Sequence, residues 1–188
     1  RTSLVVDPPD GRVPAPSEAA VARYVKSRDV WARSPEGPED RNPFDRCIKG
    51  FNAGPPMTSG AYNNIMQIVE SEDFVAMQVE MVNDHRIIPT TSRDQLPEHM
   101  RFWKGDSRGE WDGDTFVVTT TNFNQHQMFR LTGPNMTLTE RFTRLDTDTL
   151  EYQFTVDDPD TYDVPWTAIM HMTRTDSDVY EFACHEGN

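Results

Sequence analysis

The sequence predicts an all-β domain in which an antiparallel meander closes into a small β-barrel, preceded by a Pro-rich N-terminal arm. Segments that alternate apolar and polar residues recur after position 61, as expected of half-buried strands. Short acidic turns separate these segments. Nine of the 14 prolines lie before position 57. We therefore divide the 188 residues into an arm with one helix (1–60) and a β-barrel domain (61–188).

The composition excludes several classes of partner. The chain has 18 basic and 31 acidic residues, a net charge of -13. This charge argues against nucleic acid, because phosphate binding requires Lys and Arg, and against an anionic membrane surface. Since no apolar run approaches the roughly 20 residues that span a bilayer, we expect no membrane insertion.

The arm contains one segment with helical features. Ser17 is a suitable N-cap, Glu18 places negative charge in the first turn, and an Ala-rich stretch follows. The helix is expected to end near Trp31. The rest of the arm is predicted to be extended chain punctuated by proline.

Eight segments are predicted to be strands. They are 64–70, 74–82, 85–89, 115–123, 136–145, 150–156, 166–174 and 179–185. Asp112-Gly113 is the strongest hairpin signal, because a type I′ turn needs positive φ at both central residues. Residues 96–103 interrupt the pattern and are expected to form a short helix or a lid. Closing such a meander into a barrel removes its edges and leaves room for one ligand.

The two cysteines, Cys47 and Cys184, have two interpretations. They form a disulfide between the arm and the last predicted strand, which requires an oxidising compartment, or they are two reduced, buried thiols. Closing so long a loop would stabilise the fold by about 4–5 kcal/mol in the chain-entropy model.

The segment from Gly105 to Gly109 matches the G-x-S-x-G pattern of α/β-hydrolases. That motif needs a strand-to-helix turn in a parallel sheet, which this sequence does not predict. We therefore interpret the segment as a Gly-bounded turn in which Asp106 and Arg108 bind the backbone or each other, and not as the site of a nucleophilic Ser107.

His185 and Glu80 are the candidate catalytic residues, as proton-transfer groups. Each lies on a predicted strand, where burial would tune its pKa. A mid-strand carboxylate such as Glu80 or Glu140 must be paired or have a raised pKa. Two such carboxylates near His185 would form a proton-transfer site, whereas two salt-bridged pairs would be structural; the sequence leaves both open.

Five further residues are candidates for substrate binding. Arginines would act as electrostatic partners, whereas amide, phenol and imidazole groups near strand ends would orient a ligand at a barrel mouth. These residues are Tyr62, Asn122, Arg86, Arg141 and His171. The five histidines lack the spacing of a compact metal motif, so we expect neither a metal nor another cofactor.

Several longer motifs carry a resemblance. They are GDSRGEWDGDTFVV (105–118), TTNF (120–123), YNN (62–64), RIIP (86–89), ERFTR (140–144) and ACHEGN (183–188). Together they resemble a large family of bacterial proteins, predicted to be exported, that have no established activity. The resemblance implies a periplasmic or extracellular protein with one β-rich domain, and it supplies no catalytic residues. More weakly, the meander is similar to the calycin group, which includes the lipocalins.

These observations lead to a functional hypothesis. We expect a small-molecule-binding, lipocalin-like barrel that acts as an enzyme on a partly apolar organic substrate, using cofactor-independent acid/base chemistry as a lyase, isomerase or hydrolase. The alternative is a non-catalytic carrier of a small hydrophobic ligand. A third interpretation is an envelope-associated structural protein. The sequence is also compatible with a homodimer.

Overall fold

The computed structural model describes residues 3–94, 96–126 and 129–185. These residues form mostly β-structure with one α-helix, α1 (Glu18–Ala32). Short 3-10 turns occur at Pro38–Asp40, Met81–Asn83 and Phe129–Leu131. The strands are, in chain order, β1 (Val5–Asp7), β2 (Met66–Glu70), β3 (Phe74–Val79), β4 (Asp84–Pro89), β5 (Asp106–Asp112), β6 (Thr115–Thr121), β7 (Thr137–Arg144), β8 (Thr149–Asp157) and β9 (Trp166–Thr173).

The strands form two antiparallel sheets. The larger sheet has the order β1-β9-β8-β7-β6-β5, and the smaller has the order β2-β3-β4. The all-β architecture is therefore confirmed. Within the described ranges the two sheets are separate hydrogen-bonded ladders, so closure into a barrel stays a prediction.

The register brings the apolar positions of neighbouring strands onto one buried face. Val118 pairs with Glu140, Glu140 with Phe154, and Phe154 with Ala168. All four residues are buried. Because partners across an antiparallel ladder share a face, this row marks the side of the larger sheet that faces the core. Val75, Met77 and Val79 form the corresponding buried face of the smaller sheet.

Most predicted strands agree with the structure to within a few residues, but three expectations do not. Residues 105–109 are not a turn, since β5 (Asp106–Asp112) runs through them and pairs with β6. Residues 96–103, all of which the structure describes, form turns and irregular chain and contain no helix. Residues 179–185 form no strand among the described residues.

The missing strand at 179–185 has a physical reason. β1, which the sequence did not predict, pairs with the outer edge of β9, and the Ile169 amide donates to the Leu4 carbonyl. β8 occupies the other side of β9, so among the described strands β9 keeps an unpaired edge for the chain that follows only from Met170 onward. That chain runs instead toward the arm, where the Phe182 ring packs 6.4 Å from that of Phe44.

The helix of the arm is confirmed, and side-chain contacts hold it to the loops that connect β6 to β7 and β8 to β9. The Ser17 hydroxyl accepts a hydrogen bond from the Ala20 amide and donates to the Asp160 carbonyl. The Arg23 guanidinium donates to the Leu131 carbonyl and to the Thr161 hydroxyl, at 3.0 Å each. No helix in the described residues has the length and apolar character needed to cross a membrane.

Cys47 and Cys184 form a disulfide with a Cα–Cα distance of 5.8 Å. The disulfide interpretation is therefore confirmed, and that of two reduced thiols is wrong. The bond fastens the segment after β9 to the arm, across 137 residues of sequence.

Candidate ligand-binding cavity

A cavity of about 680 Å³ lies between β2 on one side and the adjoining parts of β8 and β9 on the other. We call it the seam cavity, because it lies at the boundary between the smaller and the larger sheet. Its apolar lining consists of Met57, Ile65, Met66, Ile68, Val79, Leu150, Met170 and Met172.

Pairing of the strands explains where the cavity opens. β1 covers β9 only around Thr167 and Ala168, so within the described strands β9 has no partner on this side from Met170 onward. β2 is likewise an edge strand, paired with β3 alone. Two strand edges therefore border the same cavity, and the core-facing side chains of both sheets reach it.

The register decides which side chains line the cavity walls. Ile68 pairs with the buried Met77, so Ile68 lies on the core side of β2, whereas Val69 lies on the outer side. On β9, Met170 pairs with the buried Tyr152, and Met172 pairs with Leu150. The walls are thus built from the alternating core positions of strands at the boundary of the two sheets.

Polar residues surround the rim of the seam cavity. They come from the β7–β8 turn and from the end of β9, and include Arg144, Asp146, Asp148 and Arg174. The Asp148 amide donates to the Asp146 carboxylate at 2.8 Å, and this bond, with others from Thr149, lowers the pKa of Asp146. The Asp146 carboxylate is thus part of the turn itself.

A buried charged cluster lies beside Met57, below the cavity. Arg86 donates to both oxygens of Glu140, at 2.7 and 3.2 Å. The Tyr152 hydroxyl donates to Glu140 at 2.6 Å and accepts from the Met57 amide at 3.0 Å. The Glu140 side chain is 0% exposed. Each polar group of the cluster has a partner, as buried charge requires.

The pKa values of the cluster follow from this arrangement. Burial, together with the adjacent Glu140 carboxylate, raises the pKa of Tyr152 well above its usual value. Burial alone would lower the pKa of Arg86, but its ion pair with Glu140 outweighs this and raises it. The cluster therefore stays as a neutral phenol and an ion pair, and for Glu140 the structural alternative, a salt bridge, is confirmed.

A second group of charges lies near the start of β4. Lys104 forms an ion pair with the buried Asp84 and also donates to the His85 carbonyl at 2.9 Å. Burial lowers the pKa of Lys49 to about 8, although the nearby Asp84 carboxylate opposes this shift.

The two candidate catalytic residues lie in different surroundings. Glu80 is buried at the turn between β3 and β4. His185 is exposed, directly after the disulfide-bonded Cys184. No hydrogen bond or ion pair joins their side chains in the described part of the chain, and neither lines the seam cavity.

Three of the candidate binding residues have structural partners. Arg86 belongs to the buried cluster described above. The Asn122 amide donates to the carbonyls of Pro97 and Met100, both at 3.0 Å, and so holds the 96–100 segment in place. Arg141 lies on the outer face of β7 and pairs with Asp112 at 2.9 Å.

The other two candidate binding residues are accessible. Tyr62 is 51% exposed, and its ring lies edge-on to that of Phe51 at 5.7 Å. His171 borders the seam cavity, but it alternates with Met170 and Met172, so its side chain lies on the outer face of β9. Its Nε2 atom lies 3.4 Å from Glu151 Oε2. His171 is thus the one sequence-predicted site residue that the structure places at the cavity.

Sequence reasoning missed most of the cavity lining. The Met-rich face of β9 was visible as an alternation of Met170 and Met172 with polar neighbours. Nothing in that alternation showed that part of the β9 edge would face β2. The position of the cavity depends on where β1 pairs, and three residues flanked by proline give too short a pattern to reveal it.

Comparison of the chain with protein-family models, with curated proteins and with solved structures finds no match. The resemblance to a family of exported bacterial proteins therefore stays a prediction.

Proposed function

We propose that the protein binds a small, partly apolar organic molecule in the seam cavity. The observation that carries the proposal is the cavity itself, because its volume of about 680 Å³ lies within the usual range for small-molecule sites. Eight apolar side chains would contact the body of the ligand, and the polar rim would orient its polar end. This function is common to a carrier and to an enzyme.

We also propose that the two sheets are parts of one lipocalin-like barrel that is open beside the seam cavity. In support, the buried faces of both sheets contribute to the same apolar core. β4 and β5 also approach closely, since a Cβ atom at Gly109 would lie 3.1 Å from the Ile88 side chain. An open side would give a ligand access to the interior.

Export to the periplasm or the cell exterior is part of the proposal. The Cys47–Cys184 disulfide supports it, because such bonds persist mainly in oxidising compartments. The long sequence motifs that resemble exported bacterial proteins point the same way.

A titration with an environment-sensitive apolar fluorophore tests the binding proposal. We expect saturable binding to the unmodified protein and a large loss of affinity in Ile68→Trp, because the indole would occupy the cavity. Val69→Trp is the matched control, since Val69 is adjacent but lies on the outer side of β2. Equal binding by both variants, or no binding by the unmodified protein, would contradict the proposal.

A second candidate function is acid/base catalysis without a redox cofactor, and His171 supports it. His171 borders the seam cavity at the end of β9, and the Glu151 carboxylate beside it would orient the ring. In this version His171 transfers a proton to or from the bound substrate.

A panel of esters, lactones and enones with apolar chains tests the catalytic version. We expect turnover of at least one compound, lost in His171→Asn and retained in His99→Asn, because His99 is exposed and outside the cavity. Equal activity of the two variants, or no turnover of any compound, leaves the carrier as the function.

A further inference from the structure

Methionine is concentrated at the seam cavity. The chain has nine methionines, and four of them, Met57, Met66, Met170 and Met172, line this one cavity. Methionine fills irregular apolar space well, which accounts for single residues of this kind. The thioether that each of these four residues carries is also a soft metal ligand.

The four thioethers come from three segments that the fold brings together. Met170 and Met172 lie two residues apart on the core side of β9. The Met57 amide is bonded to the hydroxyl of Tyr152, which pairs with Met170 across the ladder, so Met57 lies close to this part of β9. Met66 belongs to β2, on the other side of the cavity.

The chemistry of this ligand set selects a particular class of metal. Thioether sulfur is a soft, neutral donor that favours Cu(I) over hard cations such as Mg²⁺ or Ca²⁺. Thiols do not compete here, since both cysteines are in the disulfide. The part of the chain that the structure describes contains no group of three or more His, Cys, Asp or Glu side chains placed to hold a metal ion.

The net charge of the chain also suits a cation bound by neutral ligands. On the rim of the cavity, Arg144 and Arg174 balance Asp146 and Asp148, but the whole chain carries a net charge of -13. Such a field attracts cations to the surface.

We propose that the thioethers of Met57, Met66, Met170 and Met172 form a binding site for a soft monovalent cation, Cu(I) or its analogue Ag(I), in the seam cavity. This site uses the same cavity as the proposed organic ligand but does not depend on that ligand. Metal and ligand would compete, because both would occupy the space between β2 and β9.

Silver binding tests this proposal without redox chemistry. Isothermal titration calorimetry with Ag(I) in chloride-free buffer is expected to give one ion per chain. The double variant Met170→Leu/Met172→Leu keeps the side-chain volume and hence the fold. We expect it to bind Ag(I) about tenfold or more weakly, the range that altered metal sites commonly show.

Met100→Leu/Met136→Leu is the matched control, because these two methionines lie outside the cavity lining. We expect its Ag(I) affinity to equal that of the unmodified protein. X-ray absorption at the silver edge should show a shell dominated by sulfur. No binding, equal affinity in the two double variants, or a shell without sulfur would overturn the metal site.

The same proteins separate this inference from the proposed function. Binding of the apolar fluorophore without binding of Ag(I) would overturn the metal site and leave the organic-ligand proposal intact. Binding of Ag(I) without binding of the fluorophore would support the metal site and contradict the organic-ligand proposal.

Discussion

Arg86 and Glu140 carry opposite charges in the interior, between the smaller sheet and the middle of the larger one. Removing each charge from water costs several kcal/mol. The attraction between the two charges offsets this cost only when the remaining polar atoms of both side chains are hydrogen-bonded. Tyr152 and the Met57 amide complete the cluster. The cluster therefore fixes how Met57, a cavity residue, is placed relative to β8.

Breaking this ion pair tests its structural role. We expect Arg86→Met to lower the free energy of unfolding by about 3–5 kcal/mol, because it leaves the Glu140 charge buried and unpaired. The double variant Arg86→Met/Glu140→Leu should show a smaller decrease in the free energy of unfolding, since no unpaired charge remains. Denaturant unfolding measures both.

Arg141→Met is the control for that comparison. Arg141 is also paired, but with the exposed Asp112, so Arg141→Met should lower the free energy of unfolding by about 1 kcal/mol or less. A double variant as unstable as Arg86→Met, or a loss in Arg141→Met as large as in Arg86→Met, would contradict the structural role of the buried pair.

Among the elements, those with a long local pattern were predictable. Strands such as β3, β7, β8 and β9 alternate apolar and polar residues over six or more positions, and helix α1 begins at a Ser cap. β1 has three residues before Pro8, too few for a pattern. The 179–185 segment does alternate, yet it forms no strand, because the Cys47–Cys184 disulfide and the packing of Phe182 on Phe44 hold it against the arm.

Helix α1 offers a test at its N-terminus. Ser17→Ala should lower the free energy of unfolding by about 1 kcal/mol, because the Ala20 amide loses its capping acceptor. Thermal unfolding followed by circular dichroism measures the change. Ser27→Ala, inside the same helix, should be neutral or slightly stabilising, since alanine favours the helix interior. A loss in Ser27→Ala equal to that in Ser17→Ala would argue against a cap.

In the molecule as a whole, two links tie the arm to the β-structure. β1 joins the larger sheet, and the Cys47–Cys184 disulfide holds the segment after β9. A disulfide across 137 residues restricts the unfolded chain strongly. The sequence indicated the two cysteines but left their pairing open, because only the folded arm brings them together.

Removing the disulfide measures its contribution to the whole fold. We expect Cys47→Ala/Cys184→Ala to lower the free energy of unfolding by about 4–5 kcal/mol in the chain-entropy model. Guanidinium unfolding of the double variant provides the measurement, and the unmodified protein unfolded with a reductant should show the same loss. A free energy unchanged by both treatments would contradict this contribution.

The candidate site was predictable only in part. Alternation along a single strand reveals which residues share a face, so the sequence showed the Met-rich face of β9 that lines the cavity, and it also named His171, which borders the cavity from the opposite face. The buried partners of Arg86 and Asn122 could not be predicted, since they depend on contacts between distant segments. The cavity depends on the pairing of whole strands, beyond the reach of any local pattern.

Methionine methyl NMR tests the central claim, ligand binding in the seam cavity, most directly. The protein is labelled at its methionine methyl groups, assigned by single Met→Leu variants, and titrated with the apolar fluorophore. We predict saturable shifts for Met57, Met66, Met170 and Met172, with Met100 and Met136 unmoved. Shifts confined to Met100 and Met136, or no shifts at a saturating concentration, would contradict the account.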